Sequence, residues 1–219
     1  MYKYHAPTPI EIKLTDDSGL LLRQKAAEIL EGSLVKGAEK GNIEEQSFGL
    51  LAELVIRSKI GLPEIKEKDH PLGFDILLPS ALKVDVKCRG GKMPFKEIYI
   101  GADEIGREAK HTFFARQLYN LKLDADIYLM THLEHPSDPT LPGTKRQKKW
   151  VLYVCGWVSK ERVLREGVYL PRGSLSERGR NWMQYRGQEI EFYNRNLNGL
   201  VEINDLLTIE PADVKKDNL

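Results

Sequence analysis

The chain has 219 residues, and its 33 lysines and arginines nearly balance 32 aspartates and glutamates, so the formal net charge is +1 at neutral pH. Hydrophobic residues make up 41% of the chain and charged residues 30%, which is typical of a globular protein with its own core and excludes wholesale disorder. No apolar run approaches the roughly 20 residues that span a bilayer, and the first residues lack a signal-peptide core, so we expect a cytoplasmic protein without a membrane partner.

The near-neutral total conceals an uneven distribution of charge that bears on nucleic-acid binding. Residues 143–195 carry a net charge of +7, whereas residues 1–142 and 196–219 each carry −3. Basic side chains interleaved with tryptophan and tyrosine can hold phosphates while stacking on bases, although a solvated basic face beside core aromatics would have the same composition. The candidate DNA contacts in this segment are Lys145, Arg146, Lys148, Lys149, Arg178 and Arg180.

The first part of the chain predicts helices. Residues 1–42 are expected to form an N-terminal helical region, because Leu20–Leu30 has apolar residues at helical spacing. A second helix is predicted from Ile43 to Ile60, where Gly61 and Pro63 end it.

After Pro63 the hydrophobic period changes to that of strands. The predicted elements are, in chain order, the hairpin strands Phe74–Leu78 and Leu82–Cys88, a short strand Glu97–Ile100, a long amphipathic helix Asp103–Leu121, the strands Asp126–Leu133 and Trp150–Val158, a helix Ser159–Arg165, and the strands Glu189–Tyr193 and Leu200–Ile203. Gly90 and Gly91 are expected to end the second hairpin strand. Asp126–Leu133 is apolar on both faces, as a central parallel strand would be. This order predicts an α/β fold with a mixed sheet flanked by helices, and residues 166–219 form a β-rich extension of the same globule.

The strand Leu82–Cys88 carries the sharpest chemical signal. Side chains alternate between the faces of a strand, so Asp85 shares one face with Lys83 and Lys87 while the apolar residues share the other. Pairing across the hairpin would bring Asp75 next to Asp85. Two neighbouring carboxylates repel each other, and a divalent cation such as Mg²⁺ removes that conflict because it prefers hard oxygen ligands. A solvent-facing edge strand is the plain alternative.

A third carboxylate lies on the second predicted helix. Glu53 has apolar neighbours over most of the helix circumference, which is costly unless it faces a cation or a polar cleft. An ion pair with Arg57, four residues later, is the common alternative explanation.

The spacing of Asp75, Asp85 and Lys87, together with the helix glutamate, resembles the D-x(n)-(D/E)-x-K motif of the PD-(D/E)XK nuclease superfamily. The predicted order over residues 43–165 is similar to the αβββαβ core of the restriction-endonuclease-like fold, if Glu97–Ile100 is its third strand. Glycine and phenylalanine precede Asp75 where many members have proline.

This resemblance implies a metal-dependent nuclease that hydrolyses DNA phosphodiester bonds, with an endonuclease expected. Asp75, Asp85 and the Val86 carbonyl would hold Mg²⁺, for which Mn²⁺ should substitute, and Glu53 would hold a coordinated water or complete a second site. Lys87 would position or deprotonate the attacking water. The helix after the motif often contacts substrate in related nucleases, which makes Lys110, Arg116 and Gln117 further candidates for DNA contacts, although they could equally be helix surface charge.

Other functions remain open at this level. The chain could be an inactive nucleic-acid-binding protein of the same fold, a junction- or flap-specific nuclease, or an interaction domain with a solvated edge strand. Cutting both strands with one site per chain favours a homodimer or sequential nicking. Cys88 and Cys155 lie in apolar runs and are expected to be buried and unreactive, and a zinc site at His132 and His135 is disfavoured because residues three apart on a strand point to opposite faces.

Overall fold

The computed structural model describes residues 7–31, 43–63, 65, 74–91, 110–119, 124–135, 150–178, 181–184 and 188–219. The α-helices are α1 (Asp16–Glu31), α2 (Ile43–Lys59), α3 (Ala115–Tyr119), α4 (Lys160–Glu166) and α5 (Pro211–Asp217), with 3-10 helices at Asn194–Asn196 and Ile203–Thr208. The strands are β1 (Ile10–Leu14), β2 (Ile76–Leu77), β3 (Lys83–Gly91), β4 (Lys110–Phe114), β5 (Ile127–Glu134), β6 (Trp150–Ser159), β7 (Val168–Leu170), β8 (Leu175–Arg178), β9 (Asn181–Gln184) and β10 (Glu189–Tyr193). Within these ranges, no helix is long and apolar enough to cross a membrane.

The central sheet is mixed and has five strands in the order β1-β6-β5-β3-β2. β3 and β5 are parallel, and the other neighbouring pairs are antiparallel. Every residue of β5 and β6 is buried, as expected for strands covered on both faces. The predictions of a mixed α/β fold and of a central parallel strand are therefore confirmed.

One face of this sheet packs against α1 and α2. Val84 and Val86 of β3 are buried in this core together with alternate residues of β5. Asp85 and Lys87 are half-buried and lie on the opposite face, because side chains alternate along a strand. The alternation predicted for this strand is thus confirmed.

The other face of the sheet has a second core. Tyr128 and Met130 of β5 pack there with Phe113 of β4, Phe192 of β10 and Val163 of α4. β4 and β10 belong to a separate antiparallel sheet with the order β4-β10-β7, and β8 pairs with β9. Asp85 and Lys87 lie on the side of the central sheet that faces this second core.

The long helix predicted over Asp103–Leu121 is wrong for residues 110–114 and is confirmed only for residues 115–119 of the described part. Residues 110–114 form β4, and the helix α3 that follows has five residues. Pairing with β10 buries His111 and Phe113 on one face, a period of two that the sequence also allows. Burial lowers the pKa of His111, so its neutral ring donates one N–H, to the Thr131 carbonyl at 2.8 Å. A tertiary contact thus overrides the helical pattern.

The second hairpin strand, β3, is longer than the sequence pattern predicts. It continues through Gly91 because its backbone pairs with β5, with Gly90 opposite Leu133. A Cβ atom on Gly90 would lie 2.4 Å from a ring carbon of Phe48, so glycine here permits close approach of α2 and does not break the strand. The strand predicted at Glu97–Ile100 lies outside the described residues.

The two ends of the chain contain elements that the sequence patterns do not predict. β1 pairs antiparallel with β6, so the N-terminal region contributes a strand as well as a helix. The strand predicted at Leu200–Ile203 is wrong, because the Asp205 carboxylate accepts the backbone N–H groups of Val201 and Glu202 at 2.8 and 2.9 Å and starts a 3-10 helix. Backbone groups bonded in this way do not pair in a sheet.

A polar cluster around Asp217 attaches the last helix to the rest of the fold. The carboxylate accepts hydrogen bonds from the Ser159 backbone N–H at 2.7 Å, from Arg162 at 2.7 Å and from the Asn198 amide at 2.8 Å. Burial alone would raise the pKa of Asp217, but these donors outweigh it and hold the pKa below its ordinary value.

Replacing Asp217 with alanine should therefore lower the free energy of unfolding by about 2–4 kcal/mol, because it leaves buried donors and a guanidinium without their acceptor. Chemical denaturation of the variant measures this loss. Glu161→Ala, which removes an exposed carboxylate on α4, is the matched control and should cost only about 0.5 kcal/mol. Equal losses in the two variants would contradict the assignment.

Candidate active site

The turn between β2 and β3 brings Asp75 to the side of β3. The tight hairpin is as predicted, and Ala81 adopts the left-handed φ of +65° that closes it. Asp75 comes just before β2, and its backbone N–H donates to the Val84 carbonyl at 2.9 Å. Its Oδ2 accepts the Val86 N–H at 2.7 Å, which fixes the carboxylate over the middle of β3.

Asp85 and Lys87 follow on the same strand and form an ion pair. Lys87 Nζ lies 2.7 Å from Asp85 Oδ2, and the two side chains are 19% and 18% exposed. Both groups are therefore shielded from bulk water but within reach of a ligand. Lys87 Nζ also lies 5.7 Å from the centre of the Tyr128 ring.

Glu53 comes to this group from α2. Its side chain is buried, with 8% exposed, and its Oε1 lies 4.0 Å from Arg57 Nη1, at the limit of an ion pair. Arg57 also donates to the Asp75 carbonyl at 3.0 Å and twice to the Pro63 carbonyl at 3.2 Å. The alternative ion pair between Glu53 and Arg57 is therefore present, and Arg57 divides its contacts between Glu53 and the two carbonyls.

The electrostatics of Asp75 show that these side chains act on one another. Its pKa lies well above the ordinary value, first because the carboxyl is buried and then because of the negative charges of Asp85 and Glu53. Lys87 and the Val86 N–H act in the opposite direction without cancelling the effect. The structure thus brings together Glu53, Asp75, Asp85 and Lys87, the four residues that the sequence analysis selected as catalytic.

The side chains at this site provide some, but not all, of the ligands that a cation needs. In the part of the chain that the structure describes, no group of three or more histidine, cysteine, aspartate or glutamate side chains is arranged to hold a metal ion. Asp75 and Asp85 supply two carboxylates whose repulsion a cation would relieve, but one accepts a backbone N–H and the other holds Lys87. The donor chemistry fits Mg²⁺, and the third side-chain ligand is not in place.

The candidate DNA contacts are not brought together by the described residues. Lys110 begins a strand, β4, and does not lie on a long helix, while Arg116 and Gln117 lie in the short helix α3. Arg178 ends β8. The positions of these four side chains are not described, and the remaining candidates lie outside the described ranges: Lys145, Arg146, Lys148, Lys149 and Arg180.

The two cysteines differ in burial. Cys155 is buried in the second core as expected, whereas Cys88 is only half-buried, and desolvation raises the pKa of its thiol to about 12, which disfavours the reactive thiolate. His135 stacks on Phe48 with ring centres 4.6 Å apart, and His132 is buried in β5. The contact with Phe48 gives His135 a role in packing.

Two residues at the site were not selected from the sequence. Tyr128 lies directly opposite Asp85 in the parallel pairing of β3 with β5, and Arg57 connects α2 to the Asp75 backbone. Tyr128 could have been noticed as an aromatic residue with a hydroxyl in an otherwise aliphatic run, but its partner depends on the strand register. Arg57 was noted only as a possible neutralising partner of Glu53.

Comparison with known proteins adds no relative. The chain matches no protein-family model, no curated protein and no solved structure. The function is therefore inferred from the geometry of four residues: Glu53, Asp75, Asp85 and Lys87.

Proposed function

We propose that this protein is a Mg²⁺-dependent deoxyribonuclease that acts as an endonuclease and has a restriction-endonuclease-like core. The observation that carries the proposal is that Asp75, beside the edge strand β2, feels the charges of Asp85, Glu53 and Lys87, while Lys87 pairs with Asp85. A solvated edge strand would expose each charge to water separately. Here the negative charges of Asp85 and Glu53 raise the pKa of the Asp75 carboxyl, which is typical of a site that binds a cation.

The carboxylates are assigned to holding the cation. When bound, Mg²⁺ supplies Lewis-acid polarisation of the phosphodiester and compensates charge on its oxygens. Asp75, Asp85 and the Val86 carbonyl would hold it, and Mn²⁺ should replace it because both accept oxygen ligands. Glu53 is assigned to a water molecule at the site or to a second cation.

Lys87 is assigned to the attacking water. Its ammonium is half-buried and pairs with Asp85 on β3. From this position Lys87 Nζ would orient the water that attacks phosphorus and stabilise negative charge on the phosphoryl oxygens, and it would take the proton of that water only as the neutral amine. Such a charge acts more strongly in a shielded site than in bulk water.

DNA binding is assigned to the basic residues 143–195. Their net charge of +7 would neutralise phosphates, so binding should be modest and should weaken steeply as salt increases. Cleavage of both strands requires either a homodimer or two successive nicks, because the described residues of each chain form one such site.

An inactive nucleic-acid-binding protein is the second candidate. The observation that favours it is the 2.7 Å ion pair between Asp85 and Lys87, which occupies both groups, together with the missing third ligand among the described residues. The presence of the full set of four residues favours the nuclease, since loss of one aspartate or of the lysine is the simplest route to inactivity.

The decisive experiment incubates the purified chain with supercoiled plasmid, linear duplex and branched DNA, each with Mg²⁺, with Mn²⁺ and with EDTA. We expect nicking or linearisation of at least one substrate with either cation and none with EDTA. Retarded migration of DNA without cleavage in any condition would support the inactive alternative and overturn the nuclease proposal.

Cation binding should also stabilise the fold. At a Mg²⁺ concentration of about 100 times Kd, the melting temperature should rise by roughly 5–10 °C, because the cation binds only the folded state. Asp85→Asn should abolish this rise. Asp124→Asn, which removes an exposed carboxylate paired with Lys83, is the control and should keep it. A rise of equal size in both variants would show that the cation binds elsewhere.

A further inference from the structure

Tyr128 is placed against the proposed catalytic lysine by the fold and not by sequence proximity. The parallel pairing of β3 with β5 sets Tyr128 opposite Asp85, and its ring centre lies 5.7 Å from Lys87 Nζ. The ring is 1% exposed and makes an edge contact with Phe113, with ring centres 4.9 Å apart at 63°. The ring is therefore held in one orientation by the second core.

The ammonium group of Lys87 has two kinds of contact within the described residues. One is the Asp85 carboxylate and the other is the face of the Tyr128 ring. A lysine side chain has four rotatable bonds and moves readily unless both its charge and its stem are held. The backbone of Lys87 is fixed independently, because its carbonyl accepts the Thr131 hydroxyl at 3.0 Å.

Asp85 cannot serve both proposed roles fully. In the metal-free state it is the ion-pair partner of Lys87, but as a cation ligand it would share its charge with the metal. The contact with the Tyr128 ring does not depend on Asp85. An aromatic face attracts an ammonium group more strongly where the group is shielded from water, and the Lys87 side chain is partly shielded, with 19% exposed.

We propose that Tyr128 is a positioning residue, whose ring holds the Lys87 ammonium at the reaction centre when Asp85 binds the cation. This inference rests on the proposed nuclease function. The contact is made by the aromatic face of Tyr128 and not by its hydroxyl. Burial and the charge of Asp85 both raise the pKa of Tyr128, so the ring that faces the ammonium is a neutral phenol. A phenylalanine should therefore replace it.

The kinetic test compares three variants in the Mg²⁺-dependent cleavage assay. Y128L, which removes the aromatic face, should lower kcat about tenfold, which corresponds to about 1.4 kcal/mol, and change KM less than about twofold. Y128F should restore kcat to within about twofold of the wild-type value. F192L removes a ring from the same core, on β10, and leaves the Phe113 contact of Tyr128 in place, so it controls for lost packing. Wild-type kcat in Y128L, or an equal loss in F192L, would overturn the inference.

A second readout is independent of activity. Protons beneath an aromatic face are shifted upfield, so the side-chain Cε protons of Lys87 should resonate upfield of other lysines in the wild type and in Y128F, and should return to ordinary values in Y128L. The shifted resonances are assigned to Lys87 if they disappear in Lys87→Ala and remain in Lys83→Ala. If the wild type cleaves no DNA but the upfield shift is present in the wild type and Y128F and absent in Y128L, the nuclease proposal fails and the contact between Tyr128 and Lys87 is confirmed. If no upfield shift is seen, the positioning inference fails even if DNA is cleaved.

Discussion

Lys87→Ala should lower the rate constant for Mg²⁺-dependent DNA cleavage about a thousandfold, whereas Lys83→Ala should leave it within about twofold of the wild-type value. The reason is that one well-placed group that stabilises developing charge contributes about 10²–10³ to kcat. The two lysines share a strand and a face, but Lys83 pairs with Asp124 and is 33% exposed, while Lys87 pairs with Asp85 at the carboxylate group. Single-turnover cleavage of plasmid measures both rates.

Binding has to be measured in the same variants. Without Mg²⁺, the affinity of Lys87→Ala for duplex DNA should fall no more than that of Lys83→Ala, because each substitution removes one positive charge from β3. A parallel loss of binding and cleavage in Lys87→Ala alone would assign Lys87 to holding DNA. Undiminished cleavage would remove Lys87 from the active site.

Asp75→Asn should abolish cleavage, by about a thousandfold or more, and at the same time stabilise the metal-free fold at pH 8 by about 1–2 kcal/mol. Loss of activity follows from loss of a proposed cation ligand. The gain in stability follows because an ionised Asp75 is unfavourable where it lies: the half-buried carboxyl is desolvated, and Asp85 and Glu53 add negative charge. The asparagine oxygen can still accept the Val86 N–H that binds Asp75 Oδ2 at 2.7 Å.

The pH dependence of this gain has a definite sign. A carboxyl whose pKa is raised in the folded state binds its proton more tightly there than in the unfolded chain, so it stabilises the fold at low pH. That contribution is lost as the pH rises from about 4, the ordinary value, through the raised pKa of Asp75. Urea unfolding in EDTA should show this decline in the wild type and a weaker one in Asp75→Asn. Asp124→Asn should show no gain, since Lys83 lowers the pKa of Asp124, and an equal gain there would contradict the explanation.

Much of the central sheet could be predicted from local patterns. β5 and β6 are long apolar runs, and such runs are typical of buried strands. α2 is a periodic segment with a clear end at Gly61, and it ends where expected. By contrast, residues 110–114 fit a helix and a strand equally well, and the choice depends on β10, which lies about eighty positions later in the chain. No local pattern contains that information.

The site also has some features that local sequence patterns predict and others that depend on tertiary contacts. The grouping of Asp75 with Asp85 follows from a tight hairpin and the two-residue period of strands, both of which are local. The approach of Glu53 depends on how α2 packs against β3, and the resemblance to a known motif anticipated it where periodicity could not. The Asp85–Lys87 ion pair and the position of Tyr128 depend on rotamers and on the parallel register, so they required the structure.

Arg57 has a consequence for the connection between α2 and the site. The chain leaves α2 after Lys59, and the carbonyls of Pro63 and Asp75, on either side of this connection, accept hydrogen bonds from the same guanidinium group. The spacing of these two residues is therefore held by Arg57, together with the contacts of Asp75 to β3, and does not depend on the number of residues between them. Closing a longer loop is cheap, at roughly 0.6 kcal/mol for each doubling of length. Evolution or protein engineering could thus lengthen this connection, and so add contacts beside the carboxylates, without displacing Asp75.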